Sequence, residues 1–244
     1  MPHLTVKKIL WWLCLFVAPL VLVVIELFHP AGFTAIPPGM YDYLSKPEPY
    51  DPKFKALAYF GPQWWFKLHM IQTPMVALVS IGLWMLADLA STSTSLGVTA
   101  LAWLSRISTF VFLIYYTALD AIGGFGLARA ILNTQSLAAQ GQLTPDQVSG
   151  VRNVLNTTWI DPWVGGVGSF ISLTGSWAVF FAALFLALAL FFDKKISWIP
   201  ALLLVAFGWE LQTSHTMPYG PIAFALLIIA GIWIWRTTPH PAAP

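Results

Sequence analysis

The chain has 244 residues, of which 58% are hydrophobic and only 9% are charged. Soluble domains carry about 25% charged residues, so this composition excludes an ordinary soluble globule and favours a protein whose surface faces lipid. The formal net charge of +2 comes without a basic stripe along the sequence, which argues against a nucleic-acid partner.

The first apolar segment, residues 9–28, contains the only cysteine of the chain, Cys14. A single cysteine excludes an internal disulfide and cysteine-based zinc or iron–sulfur sites. The segment is longer than the roughly 7–15 apolar residues of a signal peptide, and no A-x-A cleavage pattern follows it. We therefore interpret it as a retained transmembrane helix.

Further apolar segments follow, most of them near the roughly 20 residues that a membrane-spanning helix needs. The last two are short and share a polar corner at residues 212–221. We predict an all-α, polytopic integral membrane bundle of about six transmembrane helices, which forms a single transmembrane domain over residues 1–244. The predicted spans are residues 9–28, 64–89, 107–132, 169–192, 198–213 and 219–235. Residues 98–105 are also apolar, and they either lie along the membrane interface or extend the third span.

Two long connections are predicted on the outer side of the membrane. Residues 30–63 are rich in proline, which opposes a continuous helix, and their aromatic residues favour an ordered cap. In residues 133–166, Thr144, Pro145 and Gln147 form the pattern of a helix N-terminus with a capping box. We predict a short amphipathic surface helix in this second loop.

The predicted orientation follows from basic residues next to the spans. Lysine pairs at residues 7–8 and 194–195 directly abut apolar segments, whereas the basic residues of the other side lie largely in long loops, where the charge rule is weak. Both termini are therefore predicted to be cytoplasmic, in a bacterial inner (plasma) membrane. Asp88 and Arg106 lie near the inner ends of consecutive spans, where a salt bridge is the simplest interpretation.

Six ionisable side chains fall within or at the rims of the apolar segments. Such groups are costly to desolvate and need a partner, a ligand or a water-filled cavity. With a rise of about 1.5 Å per residue, all six reach overlapping depths in the outer half of the membrane. We predict that they converge on one periplasmic-facing site. They are Glu26, His29, His69, Asp120, Glu210 and His215.

The residue types suggest the chemistry of that site. Neutral imidazoles suit zinc, copper and iron, and two histidines on different helices also suit a b-type haem. Glu26 and His29 stand three residues apart, so they would share a face of one helix. The predicted ligands of a transition metal (Cu, Zn or Fe) are His29, His69, His215, Glu26 and Asp120.

A glycine-rich stretch follows Asp120. Gly123 and Gly124 permit either tight helix packing or a wall against a flat cofactor, which His69 and His29 would then hold. The predicted catalytic residues are the carboxylates Asp120 and Glu210.

Three functions are compatible with these residues. The first is a membrane-embedded metal- or haem-binding protein with a His/carboxylate site in the outer leaflet, carrying out redox chemistry or metal-assisted hydrolysis. The second is a cation- or proton-coupled transporter of a small solute, in which Asp120 and Glu210 relay the proton. The third is a lipid- or quinone-binding subunit of a membrane complex. The expected partners are membrane lipid, quinone or a small solute, and further copies of the chain or other subunits.

Overall fold

The computed structural model describes residues 6–29, 39–45, 61–91 and 93–237. Within these ranges the regular secondary structure is entirely helical, with eight helices and no strand. This confirms the predicted all-α fold. The helices are α1 (Val6–Glu26), α2 (Met40–Ser45), α3 (Pro62–Asp88), α4 (Leu96–Ala139), α5 (Pro145–Trp159), α6 (Phe170–Phe192), α7 (Trp198–Thr213) and α8 (Tyr219–Thr237).

Five of these helices are long and apolar enough to cross a membrane: α1, α3, α4, α6 and α8. The protein is therefore a helical membrane protein. The remaining predicted span forms α7 with the predicted bounds, but it has only 16 residues. At about 1.5 Å per residue it is about 24 Å long, shorter than the hydrocarbon core of about 30 Å.

Helix α4 is much longer than its predicted span, with 44 residues. The apolar residues 98–105 extend it at its beginning, and it continues through polar residues to Ala139. It changes to π-helix over Asp120–Gly126, and α1 contains a second π segment over Leu13–Val17. Such segments interrupt the regular ladder of backbone hydrogen bonds and are often found at functional sites.

The predicted surface helix in the second loop is confirmed as α5. Thr144 Oγ1 accepts from the Gln147 backbone N–H at 3.3 Å, and Gln147 Oε1 accepts from the Thr144 N–H at 2.8 Å, which completes the capping box. The predicted beginning of this loop, residues 133–139, is instead the end of α4. Of the predicted cap over residues 30–63, residues 39–45 and 61–63 are described, and the rest lies outside the described residues.

The helices separate into two compact units. This division does not test the predicted single transmembrane domain over residues 1–244, which stays a prediction. Unit 1 comprises Met1–Leu27, Pro74–Leu113 and Ser176–Pro244, and unit 2 comprises Phe28–Thr73 and Ile114–Gly175.

Unit 1 is held together mainly by close packing of apolar helices. Helix α8 packs against α7 and α1. Gly82 of α3 lies so close to α1 that a Cβ at this position would come within 2.7 Å of Leu15 Cδ2. Ser105 Oγ donates to the Ala182 carbonyl oxygen at 2.9 Å and so links α4 to α6. Small residues and interhelical hydrogen bonds are the usual means of association between helices in lipid.

The predicted salt bridge between Asp88 and Arg106 is confirmed, and it connects α3 with α4 in unit 1. The guanidinium is buried, and its Cζ lies 4.9 Å from the Trp103 ring centroid and 5.6 Å from that of Trp84. The two rings therefore cover the cation while the carboxylate remains half exposed.

In unit 2 the short helix α2 docks on α5. The Tyr41 backbone N–H donates to Asn156 Oδ1 at 2.8 Å, and Arg152 Nε lies 3.0 Å from Asp42 Oδ1. Apolar side chains from α2, α3 and α4 complete the core of this unit: Met40, Tyr41, Leu44, Trp65, Leu127, Ala128 and Ile131.

The capping box makes a first prediction. Thr144→Ala removes the side-chain acceptor at the start of α5 and should cost about 1 kcal/mol of local helix stability. The first-turn amides of α5 should then exchange hydrogen about fivefold faster. Thr157→Ala, which removes an exposed hydroxyl bonded to Asn153 O within the same helix, is the control. Equal exchange in both variants would contradict the role of the cap.

Candidate functional site

One face of α3 carries a polar stripe at four-residue spacing, formed by Trp65, His69 and Thr73. His69 Nδ1 lies 2.8 Å from the Trp65 carbonyl oxygen. A carbonyl oxygen only accepts hydrogen bonds, so Nδ1 carries the proton in this contact. When His69 is neutral, its ring therefore has its lone pair on Nε2, the tautomer that a metal-ligating histidine with a backbone partner adopts.

The π segment of α4 meets this stripe. Gly124 leaves the helical conformation, with φ −91° and ψ −105°. Next to it, the Gly123 carbonyl oxygen accepts a hydrogen bond of 2.9 Å from Trp65 Nε1. Interruptions of membrane helices are tolerated where neighbouring groups satisfy the backbone, and here the indole N–H does so. The hydrogen bond ties α3 to the interrupted part of α4.

The two glycines that were predicted either to pack tightly or to face a flat cofactor lie against aromatic rings of unit 2. A Cβ built at Gly124 would come within 2.5 Å of His69 Cδ2, and one built at Gly123 would come within 3.1 Å of Trp159 Cζ3. The missing side chain at Gly124 therefore makes the room that the His69 ring occupies.

His29 joins this cluster. Its ring centroid lies 5.5 Å from that of His69 and 5.1 Å from that of Trp65, while Trp65 and His69 are 4.4 Å apart. Both imidazoles are almost fully buried. The prediction that Glu26 and His29 share a helix face is wrong, because α1 ends at Glu26 and His29 lies in a bend three residues beyond it.

Asp120 reaches the same cluster through Thr73. Thr73 Oγ1 lies 2.8 Å from Asp120 Oδ2 and 2.9 Å from the His69 carbonyl oxygen. Asp120 begins the π segment and is only 2% exposed. A second contact between the same helices is the hydrogen bond that Gln72 Nε2 donates to Tyr116 Oη. Unit 2 therefore brings together two imidazoles, an indole, a hydroxyl and a carboxyl group.

The other three predicted site residues belong to unit 1. Glu26 is the last residue of α1 and is fully buried, and Glu210 is a half-buried residue of α7. His215 lies in the turn before α8, where desolvation by burial lowers its pKa to about 4. This imidazole is therefore neutral at pH 7.

No group of three or more His, Cys, Asp or Glu side chains in the described part of the chain is arranged to hold a metal ion. Among the described residues of unit 2, the His29 and His69 rings form a pair with centroids 5.5 Å apart. Any ion bound there would take its protein nitrogen ligands from these two rings.

Sequence reasoning did not identify Trp65 and Thr73 as parts of the site. The available signal was the spacing, since both residues stand four positions from His69 on a helix. The hydrogen bond from Trp65 to Gly123 had no sequence signal, because it joins residues 58 positions apart.

In comparisons with known proteins, no protein-family model, no curated protein and no solved structure matches this chain.

The contact between Gly124 and His69 makes a second prediction. Gly124→Ala should force the imidazole out of its position and destabilise the protein by about 1–3 kcal/mol, the usual cost of overpacking. The measurement is the unfolding free energy in detergent.

The matched control is Gly150→Ala on α5, because a Cβ at Gly150 meets nothing within 4 Å. That variant should gain about 0.5–1 kcal/mol from the better helix propensity of alanine. If Gly124→Ala were as stable as Gly150→Ala, the close contact with His69 would be refuted.

Proposed function

We propose that this membrane protein binds a transition-metal ion between His29 and His69. The observation that carries the proposal is the 5.5 Å separation of the two ring centroids in a buried environment. With metal–nitrogen bonds of about 2.0–2.1 Å, a ligating imidazole has its centroid about 3.2 Å from the ion. Two rings on one ion then have centroids about 5.2 Å apart at a tetrahedral angle and about 6.4 Å apart in a linear arrangement. The observed separation falls between these limits.

The backbone contact of His69 supports the same proposal. Ligating histidines usually donate the proton of their other ring nitrogen to a carbonyl or carboxylate, which fixes the tautomer and the direction of the ring. The contact between His69 Nδ1 and the Trp65 carbonyl oxygen has this form. Gly124 further limits the movement of the ring by packing against its Cβ–Cδ2 edge.

The geometry favours a single ion over a b-type haem. Axial haem ligands stand on opposite sides of the iron, so their centroids approach the linear separation of about 6.4 Å, with the macrocycle between them. The two rings are closer than that and meet edge to face at 71°. The His69 ring lies directly against Gly124, so this glycine does not face an open space.

Two imidazoles leave coordination positions for water or a substrate. Imidazole ligands suit copper, zinc and iron. Copper or iron would make the pair a redox centre, and zinc would activate a bound water for hydrolysis. Asp120, connected to the peptide of His69 through the Thr73 hydroxyl, supplies a buried group that can exchange a proton in either case.

The test is metal analysis of the purified full-length protein. After incubation with copper, zinc or ferrous iron and removal of the excess, the wild-type protein should retain about one ion per chain, and His69→Ala and His29→Ala should each retain at least tenfold less. Asp146→Asn changes an exposed carboxylate of α5 in the same unit and should leave occupancy unchanged. Full occupancy in both histidine variants would refute the site. Far-ultraviolet circular dichroism verifies that they remain folded.

A second candidate function is proton-coupled transport, and the Thr73 hydroxyl is the observation that favours it. A hydroxyl has one proton, so Thr73 donates to Asp120 or to the His69 carbonyl, but not to both at once. When it donates to the carbonyl, its contact with Asp120 is a hydrogen bond only if the carboxyl group carries a proton. The two arrangements match the two protonation states of a proton-binding carboxyl group in a membrane.

This alternative predicts proton flux in proteoliposomes. With a membrane potential applied and a pH-sensitive dye in the lumen, Asp120→Asn should abolish the protein-dependent flux. Thr73→Val should lower it about tenfold, whereas Thr73→Ser, which keeps the hydroxyl, should retain it. Flux that is equal in wild type and Asp120→Asn would exclude this role for Asp120, and absence of flux in the wild type would exclude the alternative.

A further inference from the structure

A pocket of about 540 Å³ lies in unit 1, where the turn between α6 and α7 meets the end of α8. Its lining combines two chemistries. One part is apolar and comes from Phe191, Phe192 and Ile196. The other part is cationic and hydroxyl-bearing and comes from Lys194, Lys195, Ser197 and Thr237.

We propose that this pocket binds the headgroup of an anionic phospholipid. Basic pockets between membrane helices at the level of the headgroups recognise phosphate-bearing lipids. The aromatic side chains on either side of the turn, Phe192 and Trp198, are 60% and 65% exposed. An exposed tryptophan at the end of an apolar helix, such as Trp198, is typical of the membrane–water boundary. The apolar part of the lining favours a lipid over free phosphate, because it would cover the first carbons of the acyl chains.

Lys194 has a backbone conformation that is unusual for a lysine. Its φ is +56°, in the left-handed region. The Lys195 N–H donates to the Leu190 carbonyl at 2.9 Å, and the Lys194 N–H donates to the Phe191 carbonyl at 3.0 Å. This is the Schellman pattern of a helix C-terminus, in which the left-handed position is usually glycine. A lysine therefore occupies a strained position where glycine would be more stable, which points to a role for its side chain.

The charges around the pocket make Lys194 its principal cation. Lys195 Nζ lies 3.8 Å from Asp193 Oδ2, so part of its charge is balanced within the turn. Among the residues that the structure describes, no ion pair involves Lys194. Ser197 precedes α7 without forming a side-chain capping bond, so its hydroxyl can donate to a bound phosphate.

The experiment measures binding of short-chain lipids to the full-length protein in neutral detergent, through the shift in its thermal unfolding midpoint. Dihexanoyl-phosphatidylglycerol should stabilise the wild type, whereas dihexanoyl-phosphatidylcholine and inorganic phosphate should not. Lys194→Ala should weaken phosphatidylglycerol binding about fivefold, the contribution expected of one lysine at an anionic surface. Lys194→Arg should keep most of the affinity.

Lys194→Gly separates a binding role from a structural one. Glycine relieves the left-handed strain, so the lipid-free unfolding midpoint should rise while the affinity for phosphatidylglycerol falls. Lys8→Ala is the matched control. Lys8 is also an exposed lysine of unit 1, close to the beginning of the membrane-length helix α1, and it lies outside the pocket. That variant should bind like the wild type.

Three results would overturn the proposal. Unchanged phosphatidylglycerol affinity in Lys194→Ala and Lys194→Gly would show that this pocket does not bind the lipid. An equal loss in Lys8→Ala would attribute binding to net charge. Stabilisation by inorganic phosphate equal to that by phosphatidylglycerol would assign the site to free phosphate instead of lipid. Each result is independent of metal binding, because the histidine pair is unchanged in every variant.

Discussion

A polar group inside a membrane helix must find its hydrogen-bond partner within the protein, because the hydrocarbon core offers none. The interior of unit 2 follows from this constraint. Trp65 donates its indole N–H to the Gly123 carbonyl, and its own carbonyl accepts from His69 Nδ1. The Thr73 hydroxyl lies within hydrogen-bond distance of the His69 carbonyl and of Asp120. The same groups that satisfy each other also determine the tautomer of His69 and connect Asp120 to it, so stability and the geometry of the candidate site have one origin.

The irregular segment of α4 takes part in this arrangement. Its Gly123 carbonyl accepts from Trp65, and a side chain at position 124 would fill the place of the His69 ring. Glycine tolerates the non-helical ψ at Gly124 and also removes the steric conflict. The π segment thus serves two purposes, since it presents a backbone acceptor to α3 and begins with the buried carboxyl group of Asp120.

The two units use polar residues in different ways. In unit 2 one group of buried polar side chains forms the candidate site around His69, whereas no polar side chain of α5 is buried. In unit 1 the buried Arg106 pairs with the half-exposed Asp88 at the end of α3, and Lys194 lies exposed in the turn after α6. The first arrangement is the one that we propose to bind a small cation or a proton. The turn with Lys194 is the one that we propose to bind a large anionic group that remains partly in water.

The sequence by itself determined the helical membrane class, because long apolar segments require helices in lipid, and it determined α5, because a capping box acts over three residues. It also selected His29, His69 and Asp120 as costly buried groups. It did not indicate that α4 runs through a π segment, because the groups that meet this segment, the Trp65 indole and the His69 ring, belong to a different helix, α3. Only the tertiary structure decided which polar groups meet. The Trp65–Gly123 and Thr73–Asp120 contacts join positions about fifty residues apart, and helical periodicity relates only residues on the same helix.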